Sequence, residues 1–134
     1  MSMGTVSLLS DEEVSADALA VFNEIRAARQ TKYVNNFWRA LANDPVLLRA
    51  TWDRLKVVMG PGHIDPLVKE MIYVAVSTAN GCEYCVHSHT AAAKAKGMTT
   101  EMHGELLAVI GMAMQTNGLV TGLQTPVDDM FEAP

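Results

Sequence analysis

Residues 79–90 read ANGCEYCVHSHT, and this stretch holds both cysteines of the chain and two of its four histidines. Two residues separate Cys82 from Cys85, and His89 follows Cys85 by four. Positions offset by three and by seven residues lie along one face of an α-helix. The spacing therefore predicts a helix that begins near Cys82, after a break at Asn80-Gly81, and carries two thiols and an imidazole on one side.

Two cysteines at this spacing have several possible uses. A disulfide would close a loop of only four residues, with a chain-entropy gain of about 2 kcal/mol, so the pair is a poor structural staple. A zinc site could use Cys82, Cys85, His89 and Glu70, although structural zinc usually draws on two paired motifs and this chain has one. Reversible redox chemistry fits the helix start, where free N–H groups stabilise a thiolate. The alternative without chemistry is two small buried thiols beside an ordinary core histidine.

Glu70 lies on the apolar side of the preceding helical segment, LVKEMIYVAVSTA. That side is formed by Leu67, Met71, Val74 and Thr78. A carboxylate in such surroundings is costly unless it has a partner. The partner could be a backbone or hydroxyl group of a neighbouring helix, or it could be His89, reached across the hairpin that Asn80-Gly81 creates. In the second case the acid would orient and charge the imidazole that serves Cys85.

Outward from this stretch, helical spacing covers nearly the whole chain, and no segment alternates long enough to predict a strand. We therefore expect an all-α fold of about six helices, with the C-x-x-C pair at a helix N-terminus after a helix hairpin turn. Ser10 and Glu13 have the spacing of a capping box ahead of the first helix. Asn43-Asp44-Pro45 ends a short second helix and precedes the third.

Start and stop signals also bound the later helices. Asp65 and Pro66 predict the beginning of the helix that carries Glu70. Gly97 predicts the end of the cysteine helix, and Thr99 or Thr100 caps a long final helix. Asn117-Gly118 predicts the end of that helix.

With 134 residues the chain has the length of one domain, 1–134, with a core over about 16–120. We expect loose tails at 1–10 and 124–134. Apolar residues make up 49% of the chain and charged residues 19%, which is apolar for a monomer of this size. Part of the surface is therefore expected to contact another subunit.

The charge pattern indicates which partners to exclude. The net charge is −5, and the ten Lys and Arg residues are scattered, which argues against nucleic-acid and membrane-surface partners. No apolar run was predicted to reach the roughly 18 residues of a membrane span, and the N-terminal residues lack the pattern of a leader. We expect a cytoplasmic protein, in a compartment that keeps thiols reduced.

The pattern E-x11-C-E-Y-C-x3-H, from Glu70 to His89, resembles the AhpD-like alkylhydroperoxidase core of the carboxymuconolactone decarboxylase superfamily. The segments NNFWRALANDPVLL (35–48) and AAAKAKGMTTE (91–101) are similar to the peroxidase-related branch of that superfamily. The resemblance covers about 16–120. It implies an all-α, oligomeric protein built as a trimer or hexamer.

The resemblance also implies roles for the site residues, in a thiol-dependent peroxidase that uses no cofactor. Cys85 would attack a hydroperoxide and become a sulfenic acid, and Cys82 would resolve it as a disulfide. Glu70 and His89 would relay the thiol proton through a water. An external dithiol or a thioredoxin-like protein would then reduce the disulfide.

One position departs from the family pattern. The best-studied branch has a second histidine between the cysteines, where this chain has Tyr84, a possible substrate contact that cannot titrate near neutral pH. His63, His87 and His103 are interpreted as ordinary surface residues. The alternatives left open are a lactone decarboxylase of the same superfamily, a redox sensor, and a small oligomeric zinc-binding module.

Overall fold

A computed structural model describes residues 4–133, and within this range the chain is helical and forms no strand. The six α-helices are α1 (Ala16–Arg29), α2 (Asn36–Leu41), α3 (Pro45–Met59), α4 (Pro66–Asn80), α5 (Glu83–Ala95) and α6 (Thr100–Leu123). This confirms the predicted all-α fold. The chain divides into two compact units, the first ending at Gly60 and the second beginning at Pro61, and its organisation as one domain stays a prediction.

The first unit packs α1, α2 and α3 around an apolar core. The core side chains are Ala18, Val21, Phe22, Ile25, Val34, Trp38, Ala42, Leu48 and Trp52. The two tryptophan rings meet edge to face with their centroids 5.6 Å apart, an arrangement that aromatic quadrupoles favour. The third helix begins as predicted, because the Asp44 side chain accepts the N–H of Leu47 and Pro45 occupies the first turn.

The N-terminal segment differs from one prediction. The Glu13 side chain accepts the N–H of Ser10 at 3.1 Å, ahead of α1, which begins at Ala16 because the Ser15 side chain caps it. The prediction of a loose segment over 1–10 is wrong for 7–10. Leu9 donates its N–H to the Arg39 carbonyl at 3.3 Å, and the Asn43 side chain donates to the Ser7 carbonyl at 2.8 Å.

At the ends of the chain the predicted loose tails are only partly described. Residues 1–3 and 134 lie outside the described range. The described part of the C-terminal tail, 124–133, is exposed and contains one short 3-10 turn, Asp129–Phe131.

The second unit is organised around α4, which packs against both α5 and α6. Asp65 caps α4 by accepting the N–H of Leu67 at 2.9 Å, as predicted. Gly81 has φ +71°, the left-handed conformation that glycine adopts without strain, and it ends the helix. Because the chain reverses there, the Cys82 N–H can donate to the Ser77 carbonyl at 2.9 Å. The hairpin between α4 and α5 thus forms where the sequence predicted it.

The later boundaries are partly as predicted. Gly97, with φ +106°, follows the end of α5, and the Thr99 side chain caps α6 by accepting the N–H of Met102. The predicted stop at Asn117-Gly118 is wrong, since α6 continues to Leu123. A helix ends where a residue leaves helical geometry, and here Gln124, with φ 49°, is that residue.

Because α6 continues to Leu123, it is a long and apolar helix. By length and composition alone this helix could cross a membrane: it has 24 residues, and its most apolar 18-residue window has a mean hydropathy of 1.4 and is 6% buried. The expectation that no run approaches this length is therefore wrong. Asn117-Gly118 is a common helix-ending pair, but α6 passes through it. The same length and apolarity also fit a helix that another protein subunit covers.

Candidate active site

The hairpin of α4 and α5 brings together the acid and the imidazole that the sequence singled out. Nδ1 of His89 lies 2.7 Å from Oε2 of Glu70. Glu70 is only 5% exposed, and with Val74 and Ser77 it forms the buried face of α4. A carboxylate can only accept a hydrogen bond, so this contact selects the tautomer in which Nδ1 carries the proton. Nε2 is then the ring nitrogen that can accept a proton.

A third residue, which the sequence analysis missed, completes the environment of the carboxylate. Nζ of Lys96 lies 3.2 Å from Oε1 of Glu70, so the two carboxylate oxygens have different partners. Burial alone would raise the pKa of Glu70, but the hydrogen bonds and charges of His89 and Lys96 outweigh it and lower the pKa below its ordinary value. Glu70 is therefore ionised at neutral pH. Lys96 follows His89 by seven residues, a spacing that could have indicated it.

The face of the imidazole is also covered. The rings of Tyr73 and His89 stack with centroids 3.5 Å apart and planes 17° from parallel. Burial raises the pKa of Tyr73, and the neighbouring Cys85, Glu70 and Cys82 raise it further. The phenol therefore lies within electrostatic reach of both thiols and stays protonated at neutral pH. Tyr73 was also missed, because a tyrosine three residues after Glu70 is common on any amphipathic helix.

Cys82 is the residue that caps α5. Its Sγ accepts the N–H of Cys85 at 3.4 Å, in the position that a serine or aspartate usually takes. The pKa of Cys82 is lowered, first by a hydrogen bond from the Cys85 thiol and then by this backbone N–H, while its slight burial acts in the opposite direction. The helix start thus favours the Cys82 thiolate. The sequence predicted this for both thiols, and for Cys85 the prediction is wrong, because burial and the neighbouring Cys82 raise the pKa of Cys85.

Cys85 behaves differently from Cys82 although both thiols are partly exposed and reduced. Burial raises the pKa of Cys85, the hydrogen bond to Cys82 and its negative charge raise it further, and a hydrogen bond with the Ser77 hydroxyl lowers it. When the pair holds a single proton, these effects favour the proton on Cys85 and the negative charge on Cys82. Ser77, which is buried on α4, was not identified from the sequence.

The other predicted residues lie outside this cluster or at its edge. Tyr84 is 44% exposed on the first turn of α5. His63 and His87 are exposed, and His103 is partly buried on α6. In residues 4–133, no group of three or more His, Cys, Asp and Glu side chains is arranged to hold a metal ion. The four candidate zinc ligands of the sequence analysis do not form a ligand set within this range.

An all-helical protein with a C-x-x-C pair at a helix start and a carboxylate–imidazole pair beside it belongs to the class of helical thiol proteins. Residues 45–124 match the model of the carboxymuconolactone decarboxylase family. The match spans more than half of the chain, and the chain belongs to this family.

Similar proteins carry related names. The chain is 35% identical over 72 residues to an alkyl hydroperoxide reductase AhpD of Mycobacteroides abscessus, covering 54% of this chain and 39% of that protein. It is 36% identical over 75 residues to the AhpD of Solibacter usitatus, covering 56% and 40%. The chain thus spans about two fifths of the length of these curated relatives.

A solved structure is similar over nearly the whole length. The crystal structure of an alkylhydroperoxidase AhpD core from Rhodospirillum rubrum superposes with a TM-score of 0.95 at 59% sequence identity, covering 99% of this chain and 100% of that one. These relatives are consistent with the AhpD-like resemblance drawn from Glu70 through His89.

Proposed function

We propose that the protein is a thiol-dependent peroxidase that reduces hydroperoxides through a reversible Cys82–Cys85 disulfide. The observation that carries the proposal is the position of two thiols at the start of α5, one turn before a histidine that is 2.7 Å from a buried carboxylate. The names of the AhpD relatives support an alkyl hydroperoxide reductase-like activity at the level of the family.

The reaction runs in three steps. A cysteine thiolate attacks the terminal oxygen of the hydroperoxide, the O–O bond breaks, and the alkoxide leaves as an alcohol after it takes up a proton. The attacking sulfur is now a sulfenic acid. The second thiol attacks that sulfur and loses its proton, a disulfide forms, and the hydroxide leaves as water. An external dithiol, or a thioredoxin-like protein, then reduces the disulfide and is itself oxidised.

We assign the attack on peroxide to Cys85 and the resolving step to Cys82. In the reduced state the shared proton resides on Cys85, so this proton must move before Cys85 can attack. In the proposed relay the proton passes from the thiol through a water to Nε2 of His89, and the ionised Glu70 stabilises the imidazolium that forms. The same imidazolium then donates a proton to the leaving alkoxide.

Proton transfer by His89 contributes more to the rate enhancement than the acidity of the attacking thiol does. Even a thiol whose pKa fell from about 8.5 to about 7 would gain roughly 16-fold in thiolate fraction at neutral pH and lose about 5-fold in nucleophilicity per thiolate, a net gain of about threefold. The pKa of Cys85 is raised instead, so thiol acidity is not the source of the rate. A site that also protonates the leaving group gains a further factor of about a hundred or more, which is the contribution we assign to His89.

We also propose that the protein forms a homo-oligomer through its second unit. Large apolar side chains along α6 are exposed, among them Leu107, Met112, Leu119 and Leu123. A membrane is the less favourable cover for this helix. Gln115 and Asn117 would lie in hydrocarbon, and the chain has no Lys or Arg after Lys96 to anchor it at an interface. Light scattering after gel filtration tests the oligomer, and co-sedimentation with lipid vesicles would overturn it.

The function itself is tested with a panel of reductants. Reduced protein is mixed with an alkyl hydroperoxide in the presence of one donor at a time. The donors are a lipoyl dithiol, thioredoxin and glutathione. Repeated turnover with a dithiol donor supports the peroxidase. A single stoichiometric oxidation, with no turnover for any donor, would replace it with a redox sensor. The Cys82→Ser/Cys85→Ser double variant is the control for hydroperoxide loss that does not involve the thiols.

A further inference from the structure

The carboxylate of Glu70 has two partners whose charges behave differently during a reaction. His89, on Oε2, gains and loses a proton if it takes part in a relay. Lys96, on Oε1, carries an ammonium group that takes no part in the relay. Whenever His89 is neutral, Lys96 therefore supplies the full positive charge next to Glu70. A buried carboxylate without such a charge tends to take up a proton itself.

The position of Lys96 suits this task. Lys96 is the C-cap residue of α5, and its backbone N–H is bound by carbonyl groups of the last turn. This fixes the Cα while the side chain, which is 41% exposed, extends back to Glu70 on α4. Since α5 also carries His89 two turns earlier, one helix presents both partners of the carboxylate.

We propose that Lys96 is a positioning residue of the thiol site, a countercharge that stabilises the ionised Glu70 carboxylate and aims it at His89 through the proton-transfer cycle. This inference rests on the proposed function in so far as the cycle is that of the peroxidase. It adds a third member to the proton relay and gives an acid that is 5% exposed a charged partner when its histidine is neutral.

A simpler role for Lys96 is to complement the dipole at the C-terminal end of α5, as basic residues often do. Lys94 provides the matched control, because it also lies in the last turn of α5 and is exposed. A helix-dipole effect would be lost to a similar extent in Lys94→Met and in Lys96→Met. A countercharge effect on Glu70 would be lost in Lys96→Met alone.

Other ionisable groups lie on the helices that pack around Glu70. They are Tyr73 on α4, Cys82, Cys85 and His89 at the start and centre of α5, and Glu101, His103 and Glu105 on α6, which packs against α4. All of them are unchanged in the lysine variants. Differences between these variants therefore report the lysine alone.

The experiment follows the carboxyl carbon of Glu70 by NMR as a function of pH, in the reduced full-length chain and in Lys96→Met, Lys96→Arg and Lys94→Met. We expect Lys96→Met to raise the pKa of Glu70 by about half a pH unit, the size of a solvent-screened interaction between neighbouring charges. Lys96→Arg should keep most of the lowering, and Lys94→Met should match the parent.

The pH profile of hydroperoxide turnover gives the functional readout. The acid side of the profile should move to higher pH in Lys96→Met, with little change in Lys94→Met. Equal titration curves for Lys96→Met and Lys94→Met would overturn the proposal. If the parent shows no turnover, the proposed function fails, while the titration of Glu70 still decides the role of Lys96. Circular dichroism of each variant, with Lys96→Gln as a second replacement, shows that a change does not come from unfolding.

Discussion

Nδ1 of His89 on α5 lies 2.7 Å from Oε2 of Glu70 on α4, although 19 positions separate the two residues in the chain. The contact depends on the reversal at Gly81, which turns the start of α5 back along α4. It gives the buried acid a hydrogen-bond donor and gives the imidazole a fixed tautomer. The two thiols lie at the start of the same helix that carries this imidazole.

Glu70→Gln tests this connection. The amide oxygen still accepts a hydrogen bond from His89, but the side chain has no charge to stabilise an imidazolium, so we expect Cys85 to form its thiolate more slowly. Alkylation of Cys85, followed by mass spectrometry from pH 6 to 9, should slow by about tenfold or more. Glu105→Gln, on the exposed side of α6, is the matched control. Equal alkylation rates for Glu70→Gln and the parent across this range would contradict the relay.

The order in which the two thiols react follows from their different pKa values. The pKa of Cys82 is lowered and that of Cys85 is raised. As the pH rises from 6, the thiolate of Cys82 therefore forms first, and a limiting amount of iodoacetamide should label Cys82 several times more than Cys85 at pH 7. Peptide mapping measures the ratio. Preferential labelling of Cys85 would show that the charge resides on the other sulfur.

The Cys82→Ser variant should change the chemistry of Cys85 in two ways. The hydrogen bond and negative charge of Cys82 both raise the pKa of Cys85, so their removal should lower that pKa and speed alkylation of Cys85. A sulfenic acid should also accumulate at Cys85 after one dose of hydroperoxide, because no resolving thiol remains. A sulfenic-acid trap measures it. If the trap instead labelled Cys82 in the Cys85→Ser protein, the two roles would be reversed.

Tyr73 is expected to hold the plane of the His89 ring. Tyr73→Phe keeps an aromatic ring at 3.5 Å from the imidazole and should retain most of the peroxidase activity. Tyr73→Leu removes the stacking partner, which contributes about 1 kcal/mol, and should lower kcat more than it raises KM, because ring orientation affects proton transfer rather than substrate binding. A parallel loss in both variants would assign the effect to the phenol hydroxyl instead of the stack.

Gly81→Ala tests the turn that places Cys82 as the cap of α5. A Cβ at this position meets no atom within 4 Å, but φ is +71°, so the cost is one of backbone conformation, about 1 kcal/mol. The melting temperature should fall. Gly104→Ala is the matched control, since its Cβ also has open space but the backbone is helical, and there alanine should stabilise by up to about 1 kcal/mol. An equal fall in the melting temperature of both variants would contradict the explanation from the positive φ of Gly81.

The residues that the sequence could indicate are those whose chemistry is local. Asp65 and Gly81 bound α4 as predicted, because a cap and a left-handed glycine act on their own backbone neighbours. Asn117-Gly118 carried the same kind of signal, yet α6 passes through it. Glycine permits a helix to end without requiring it, so a stop signal inside an apolar stretch was not sufficient.

The sequence by itself determined the helical class, the position of the thiol pair at a helix start, and the presence of a carboxylate on the apolar side of the preceding helix, because periodicity and capping are properties of neighbouring residues. The tertiary structure alone decided that Lys96 and His89 hold separate oxygens of Glu70, that Tyr73 covers the imidazole, and that Ser77 contacts Cys85. These contacts join side chains on different helices. Their distances depend on how α4 and α5 pack, which no local pattern specifies.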